Sequence, residues 1–469
     1  MTRCSGNASS INARINVDVT GTETGARLTT TLKASPFAHY LRGINNFLSG
    51  IDFWLLLATG FLVWTGLTVL NSPQTIGFYD KQLQFMYAGV ALMIIFSRVP
   101  YTFWLNKFVI VPMYIGNLGL LLAVMLKGHA AQGAQRWLQV GPVTLQPSEI
   151  AKLVVIFTIA AWFRRHPIRS FFDIFKAAAI ILPPAILVFK QPDLGTSLTF
   201  GAVFLGTMYW AGATIMDVVV LVSPLITLIL NAISDTDMAE PLFGEHLWLY
   251  WIGALGVTLL LFWRHKGWKH IIIRFFMLAI VIGVNYEAGH MRPHLWGLLK
   301  EYQQKRLTSF VNPYDDPRGS GYHILQSLIA IGSGGINGAG IGKGNQAQGA
   351  FIPERHTDFI FAVVGEELGF KICALIVIAY AIICIRSLLI AYQCKNEPGG
   401  SVMSIGFMCL FLFHVFLNIG MTIGIMPVAG VPLPFLSYGG TALIVDLVSI
   451  GLLQSIRRMN PPEKKTDFL

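Results

Sequence analysis

Charge is what this chain has least of. Only 12% of its 469 residues are Asp, Glu, Lys or Arg, while 54% are hydrophobic. A soluble globular protein carries roughly 25% charged residues. A soluble fold of this size would have too little polar side chain to cover its surface. Soluble enzymes, disordered chains and fibrous proteins are therefore excluded, and a polytopic helical membrane protein remains. Cysteine is scarce too. Cys4, Cys373, Cys384, Cys394 and Cys409 show neither metal-ligand spacing nor a disulfide framework. The first 40 residues lack an apolar core, so no cleavable signal peptide is expected. Residues 1–45 read as a disordered cytoplasmic tail, and 459–469 as a short cytoplasmic C-terminal tail. The excess of 34 Lys+Arg over 24 Asp+Glu, +10, is read as an orienting bias of membrane loops rather than nucleic-acid affinity.

What the chain does have is apolar runs long enough to cross about 30 Å of hydrocarbon, which takes roughly 20 residues. They are Phe53–Leu70, Leu83–Ser97, Phe108–Leu126, Ile150–Phe163, Ile174–Phe189, Leu194–Met216, Val218–Leu230, Leu247–Trp263, Ile271–Tyr286, Phe359–Ile385, Val402–Met426 and Thr441–Ile456. That predicts an all-α bundle of about twelve spans. Basic residues such as Arg98, Arg164, Arg165, Arg264, Lys269, Arg386 and Arg457 then fall on one side if both termini are cytoplasmic. The opposite side holds residues 287–358, a long extracytoplasmic loop with seven basic and six acidic residues. Long loops in compact proteins are usually functional or disordered, and the Trp, Tyr, His and Gly pattern favours functional.

Three outer segments carry polar residues that membrane burial does not explain. The first runs from Gln135-Arg136-Trp137 to Gln146-Pro147-Ser148-Glu149-Ile150-Ala151-Lys152. Pro147 and Ser148 suit a helix start and Glu149 its first turn. Glu149 and Lys152, three apart, share a face, either as a self-neutralising pair or as the polar wall of a cavity. The second is Lys190-Gln191-Pro192-Asp193-Leu194-Gly195-Thr196, where Asp193 either caps the next helix or lines a site. The third ends in Pro353-Glu354-Arg355-His356-Thr357-Asp358-Phe359-Ile360-Phe361. An N-cap needs Thr357 or Asp358 but not four ionisable residues together. Upstream, residues 332–344 are rich in glycine without the phosphate-loop pattern: 337 is Asn, and no Ser or Thr follows Lys343. Such glycines let backbone N–H groups approach an anion, here a lipid-borne phosphate.

These motifs, with Asn312-Pro313-Tyr314-Asp315-Asp316-Pro317, Gly319-Ser320-Gly321-Tyr322-His323 and Pro432-Leu433-Pro434-Phe435-Leu436-Ser437-Tyr438-Gly439-Gly440, resemble the SEDS family (shape, elongation, division and sporulation proteins). The resemblance runs from about residue 50 to 458. Gly342-Lys343-Gly344 with Gln346 and Gln348, and Arg355 before His356, resemble its elongation branch more than its division branch. The resemblance implies a multi-pass protein of the bacterial cytoplasmic (inner) membrane, with ten family spans in a domain covering 46–458. Residues 231–270 are then an insertion adding a hairpin. It implies a peptidoglycan glycosyltransferase that polymerises lipid II, an undecaprenyl-pyrophosphate-linked disaccharide peptide. Its partners would be a class B penicillin-binding protein transpeptidase and other elongation-complex membrane proteins.

Asp358 matches the family's essential acidic residue and is expected to be the base, and a metal ligand if there is one. Lys343, Arg355 and Arg136 are candidates for the pyrophosphate. Glu149, Lys152 and Asp193 would line the substrate cavity, and Glu354 and His356 would bind substrate or orient Asp358. No tightly bound cofactor is expected, though a magnesium or manganese ion on the pyrophosphate fits the chemistry. Asp446, inside the last apolar run, has no place in the family pattern. A lipid II flippase, a division-type polymerase and a scaffold are the competing readings. A transporter should show ionisable residues on several central helices, whereas here the polar residues cluster on one outer face.

Overall fold

The computed structural model describes residues 50–461, except 73–75, 128, 132–133, 141–142, 170, 235–246, 263–267, 291–303, 305, 307–309, 311–312, 315–320, 350 and 353. Both predicted tails therefore lie outside the described residues, apart from 459–461, as do parts of the predicted insertion and outer loop. The described helices are α1 (Phe53–Leu70), α2 (Ile76–Arg98), α3 (Tyr101–Trp104), α4 (Lys107–Lys127), α5 (Pro147–Arg165), α6 (Phe171–Lys190), α7 (Leu194–Trp210) and α8 (Ile215–Ser234). They continue as α9 (Leu247–Phe262), α10 (Trp268–His290), α11 (Tyr322–Gly334), α12 (Asn345–Gln348), α13 (Ile360–Gln393), α14 (Pro398–Thr422) and α15 (Gly440–Met459). Each of the predicted apolar runs overlaps one of these helices. By length and composition α1, α4, α13, α14 and α15 are long and apolar enough to cross a membrane.

The all-α expectation needs one correction. Between α4 and α5 the chain forms a three-stranded antiparallel sheet, β1 (His129–Ala131), β2 (Ala134–Val140) and β3 (Val143–Leu145), in the order β1-β2-β3. Leu138 opposes Leu145 and Trp137 opposes His129. The segment is too short for a helix to reverse it. A pair of hairpins satisfies its backbone polar groups instead. Within residues 287–358, expected as a large extracytoplasmic loop, α11 and α12 are helical. The apolar face of α11 packs on α13 and α14, so this stretch is partly ordered structure.

One apolar core runs through α1–α7 and α11–α15, centred on Leu55, Leu62, Phe157, Phe200, Ile376, Phe407 and Leu453. A smaller cluster of Val220, Leu255, Leu278 and Val281 joins α8, α9 and α10. Within it Asn285 of α10 bonds Ser223 and Thr227 of α8, at 2.9 and 2.6 Å. Such bonds between small polar side chains hold apolar helices together where hydrophobicity cannot.

At the end of the bundle where α1 begins, Asp52 is fully buried. Its carboxylate accepts from Arg386 of α13 at 2.5 Å and Arg457 of α15 at 2.6 Å. It also caps α1 through the Leu55 N–H, and its own backbone exchanges two bonds with the Gln454 amide. Three helices are tied at one residue.

Residues 427–439, between α14 and α15, form a strap that turns back into the bundle. Gly66 of α1 lets it in, since a Cβ there would stand 2.5 Å from the Leu436 carbonyl oxygen. Gln82 of α2 donates to the Ser437 carbonyl at 3.1 Å and accepts from the Gly439 N–H at 3.2 Å.

Candidate active site

The site is built around the turn that precedes α13. The helix starts at Ile360, and its capping position, Phe359, makes no side-chain cap bond. Neither Thr357 nor Asp358 acts as the cap, so the capping reading of this cluster does not hold. The turn is held from the strap. Ser437 Oγ donates to the Thr357 carbonyl at 2.7 Å, and Tyr438 N–H donates to the His356 carbonyl at 2.8 Å. From α14, the buried Asn418 amide donates to the carbonyls of Asp358 and Val431, at 2.9 and 2.7 Å. Both strap and turn are thus fixed by backbone contacts, leaving the Asp358 carboxyl to face the site.

Asp358 is partly exposed, which keeps it reachable, yet packed atoms displace most water around its carboxyl. Burial raises its pKa from 3.8 to about 6, opposed by Arg306 and Arg136 and assisted by Glu354 and Asp193. Those four residues are the charges that act on it. Gly430 shows how close Arg306 lies: a Cβ on Gly430 would be 3.3 Å from Arg306 Nη1 and 3.6 Å from Asp358 Oδ2. Gly430 also holds φ +68°, a conformation that L side chains rarely adopt.

Arg136 sits on β2. It donates to the Pro192 carbonyl and lies 3.9 Å from Asp193 Oδ1. Asp193 caps α7 by accepting from the Thr196 N–H and hydroxyl, at 3.3 and 3.0 Å, and lies 3.5 Å from Ser148 Oγ. The capping reading of Asp193 is met, and the cap stands at the edge of the site. Glu354 adopts φ +50° and accepts from the Thr357 hydroxyl at 3.1 Å. His356 stacks on Phe78 with centroids 4.2 Å apart. Burial lowers its pKa, Glu354 opposes that and Arg355 reinforces it, so the ring is neutral at pH 7.

Lys343 and Arg355 are not among the charges acting on Asp358. Arg355 donates to the Ala347 carbonyl, fixing α12. Lys343 is exposed on the glycine turn. N–H groups of that turn and of the α12 start are already taken by the protein's own α13. Glu366 accepts from the N–H groups of Gln346 and Ala347, at 2.8 and 2.9 Å, and the Glu366 and Glu367 carbonyls take those of Ala339 and Gly340. The expected lipid-phosphate cradle is therefore filled from α13.

Glu149 and Lys152 stand deeper, on the first turns of α5. Pro147 takes the first helical position as expected. Lys152 Nζ is 2.6 Å from Glu149 Oε2 and 3.5 Å from His414 Nε2 of α14, all three residues being buried. Sequence reasoning missed Arg306, Asn418 and Gly430. The signal for Arg306 was weak, one basic residue among several in the outer segment. The other two act through backbone geometry that no residue pattern announces.

A polytopic helical membrane protein with a carboxylate between two guanidiniums at one end of the bundle is the class defined so far. The FtsW, RodA and SpoVE family of cell cycle proteins matches residues 48–243 and 238–461, and the chain belongs to that family. Peptidoglycan glycosyltransferase MrdB of Escherichia coli (strain K12) is 35% identical over 408 residues, 86% of this chain and 92% of that one. Peptidoglycan glycosyltransferase RodA of Treponema pallidum is 32% identical over 445 residues, 89% of this chain and 98% of that one. The fold is shared with a solved chain of a peptidoglycan synthase complex, at TM-score 0.62 and 24% identity over 87% of this chain and 98% of that one. It is also shared with the Thermus thermophilus rod shape determining protein RodA, at TM-score 0.56 and 22% identity over 89% and 100%.

Proposed function

We propose that this chain is an elongation-type peptidoglycan glycosyltransferase whose base is Asp358. The observation that carries the assignment of roles is the Asp358 carboxyl with Arg306 beside it. The donor is lipid II, and the acceptor is the 4-hydroxyl of a GlcNAc. That oxygen attacks C1 of the donor sugar, the C1–O bond to undecaprenyl pyrophosphate breaks, and the α-link becomes a β-1,4 link. Asp358 takes the hydroxyl proton. A base with a pKa of about 6 is mostly ionised at neutral pH yet more basic than an ordinary carboxylate, which suits proton abstraction. Arg306 and Arg136 supply cationic donors for the departing pyrophosphate. They replace Lys343 and Arg355 as first candidates, while Lys343 remains placed to meet a lipid from its exposed turn.

Among the described residues no group of three His, Cys, Asp or Glu side chains could hold a metal ion. No step is routed through a metal ion.

This reading takes about twelve spans with both termini cytoplasmic, in the cytoplasmic membrane and with the Asp358 site facing outward; the apolar helices and the one-sided basic residues are what favour it. The solved synthase complex is described as coordinating polymerization and crosslinking. By analogy a class B penicillin-binding protein would supply crosslinking here. The test is polymerisation of labelled lipid II by purified protein, with Asp358→Ala as control. Glycan chains from wild type and none from the variant support the reading. No chains from either, even with the partner transpeptidase present, refute it.

A further inference from the structure

Asp446 of α15 is buried and remote from the Asp358 turn in sequence, and the mechanism above does not use it. It lies near the Lys152–Glu149 pair and the backbone N–H of Phe435. Phe435 is one of few non-glycine residues with positive φ, at +65°. Side chains rarely hold that conformation unless the surroundings impose it. Next to it, Tyr380 of α13 donates its hydroxyl to the Pro434 carbonyl at 2.5 Å. Two residues further along the strap, Ser437 and Tyr438 grip the carbonyls of Thr357 and His356. The strap is thus anchored from below by the buried Tyr380 hydroxyl, with Asp446 beside it, and holds the Asp358 turn from above.

We propose that Asp446 and Tyr380 are positioning residues for the polymerisation site: they fix Phe435 and Pro434 so that Ser437 and Tyr438 present Asp358. Lys152, paired with Glu149 at 2.6 Å, is also the cationic neighbour of Asp446. The ionic contact and the strap anchor therefore belong to one buried assembly spanning α5, α13, α14 and α15. His414 closes it on the α14 side. This inference rests on the reading of Asp358 as base only for its effect on rate.

The test compares Asp446→Leu, Asp446→Asn and Tyr380→Phe in purified full-length protein. Initial rates with labelled lipid II give kcat and KM. Hydrogen exchange, read by mass spectrometry on peptides covering 354–359 and 431–439, gives the local opening. Asp446→Leu and Tyr380→Phe are expected to lower kcat by tenfold or more with KM within about twofold. Both should speed exchange in those two peptides and leave α1 and α14 at wild-type protection. Asp446→Asn keeps an acceptor oxygen for the Phe435 N–H and should retain at least half of kcat. Should Asp446→Leu not fold, Tyr380→Phe, which loses a single hydroxyl, decides the matter alone. Wild-type kcat, or lost kcat with unchanged exchange at 431–439, overturns the proposal. If Asp358→Ala still polymerises, the base assignment fails while the exchange data continue to judge the anchors.

Discussion

If Asp358 is the base, the reaction must lose rate in mild acid, and Arg306 must set where. The folded carboxyl has a pKa of about 6, so about one part in eleven is ionised at pH 5 and about ten at pH 7. Initial rates should therefore fall close to tenfold between those values. A carboxylate at its ordinary 3.8 would lose less than about a tenth of its rate over the same interval. Arg306 is the largest influence holding the value down, ahead of Arg136. Arg306→Ala should move the acid limb toward neutral pH, and Arg136→Ala should move it in the same direction by less. Each pH unit of movement corresponds to about 1.4 kcal/mol of lost interaction with the ionised form. The assay is lipid II polymerisation from pH 4.5 to 8 at saturating substrate, with detergent and salt held constant. A wild-type acid limb at pH 4, or a limb in Arg306→Ala that stays put or moves down, would refute the reasoning.

Further outcomes can be measured. Because burial raises the folded pKa of Asp358 from 3.8 to about 6, the protein binds that proton more tightly folded than unfolded, so stability is lost as pH rises between those values and stays lower above them. Asp358→Asn should then lose polymerase activity by roughly 10²–10⁴-fold. It should also raise the melting temperature at pH 7.5, with up to about 3 kcal/mol available from the two-unit shift, and bring no gain at pH 4. Lys152→Met leaves Glu149 buried without its partner and should cost about 3–5 kcal/mol, with part regained in the Lys152→Met/Glu149→Gln double variant; thermal unfolding in detergent checks both. Gly430→Ala pushes a methyl group at Arg306 and Asp358 and should reduce kcat at least tenfold, while a helix-facing control such as Gly60→Ala, with open space around it, keeps wild-type rates.

Much of the architecture was legible because membrane burial writes itself into composition. Every apolar run overlaps a helix, and local rules placed Pro147 at a helix start, Glu149 beside Lys152 and Asp193 at a cap. These features depend on residues a few positions apart. The β1–β3 hairpins were missed because the stretch is short and lacks clear alternation. The fate of the glycine turn was illegible for a different reason. Sequence says that backbone N–H groups are available, but only the packing of α13 shows that Glu366 and Glu367 occupy them. Arg306 and Asn418 reach Asp358 across long sequence separations. One of several equivalent-looking residues is chosen there by tertiary contact, and a single chain offers no means of choosing it beforehand.

The knot at Asp52 bears on how the molecule can move. One carboxylate shared by Arg386 and Arg457 closes the end of the bundle where α1 begins. Opening that end would strand a buried charge, and breaking such a pairing costs about 3–5 kcal/mol. The other end is joined by hairpins, caps and hydrogen bonds of the strap, none of them an ion pair shared by two arginines. The Asp52 end is therefore the one that resists parting most. A carrier must open both ends in turn. A closed Asp52 end opposes that, whereas polymerisation at Asp358 asks nothing of it.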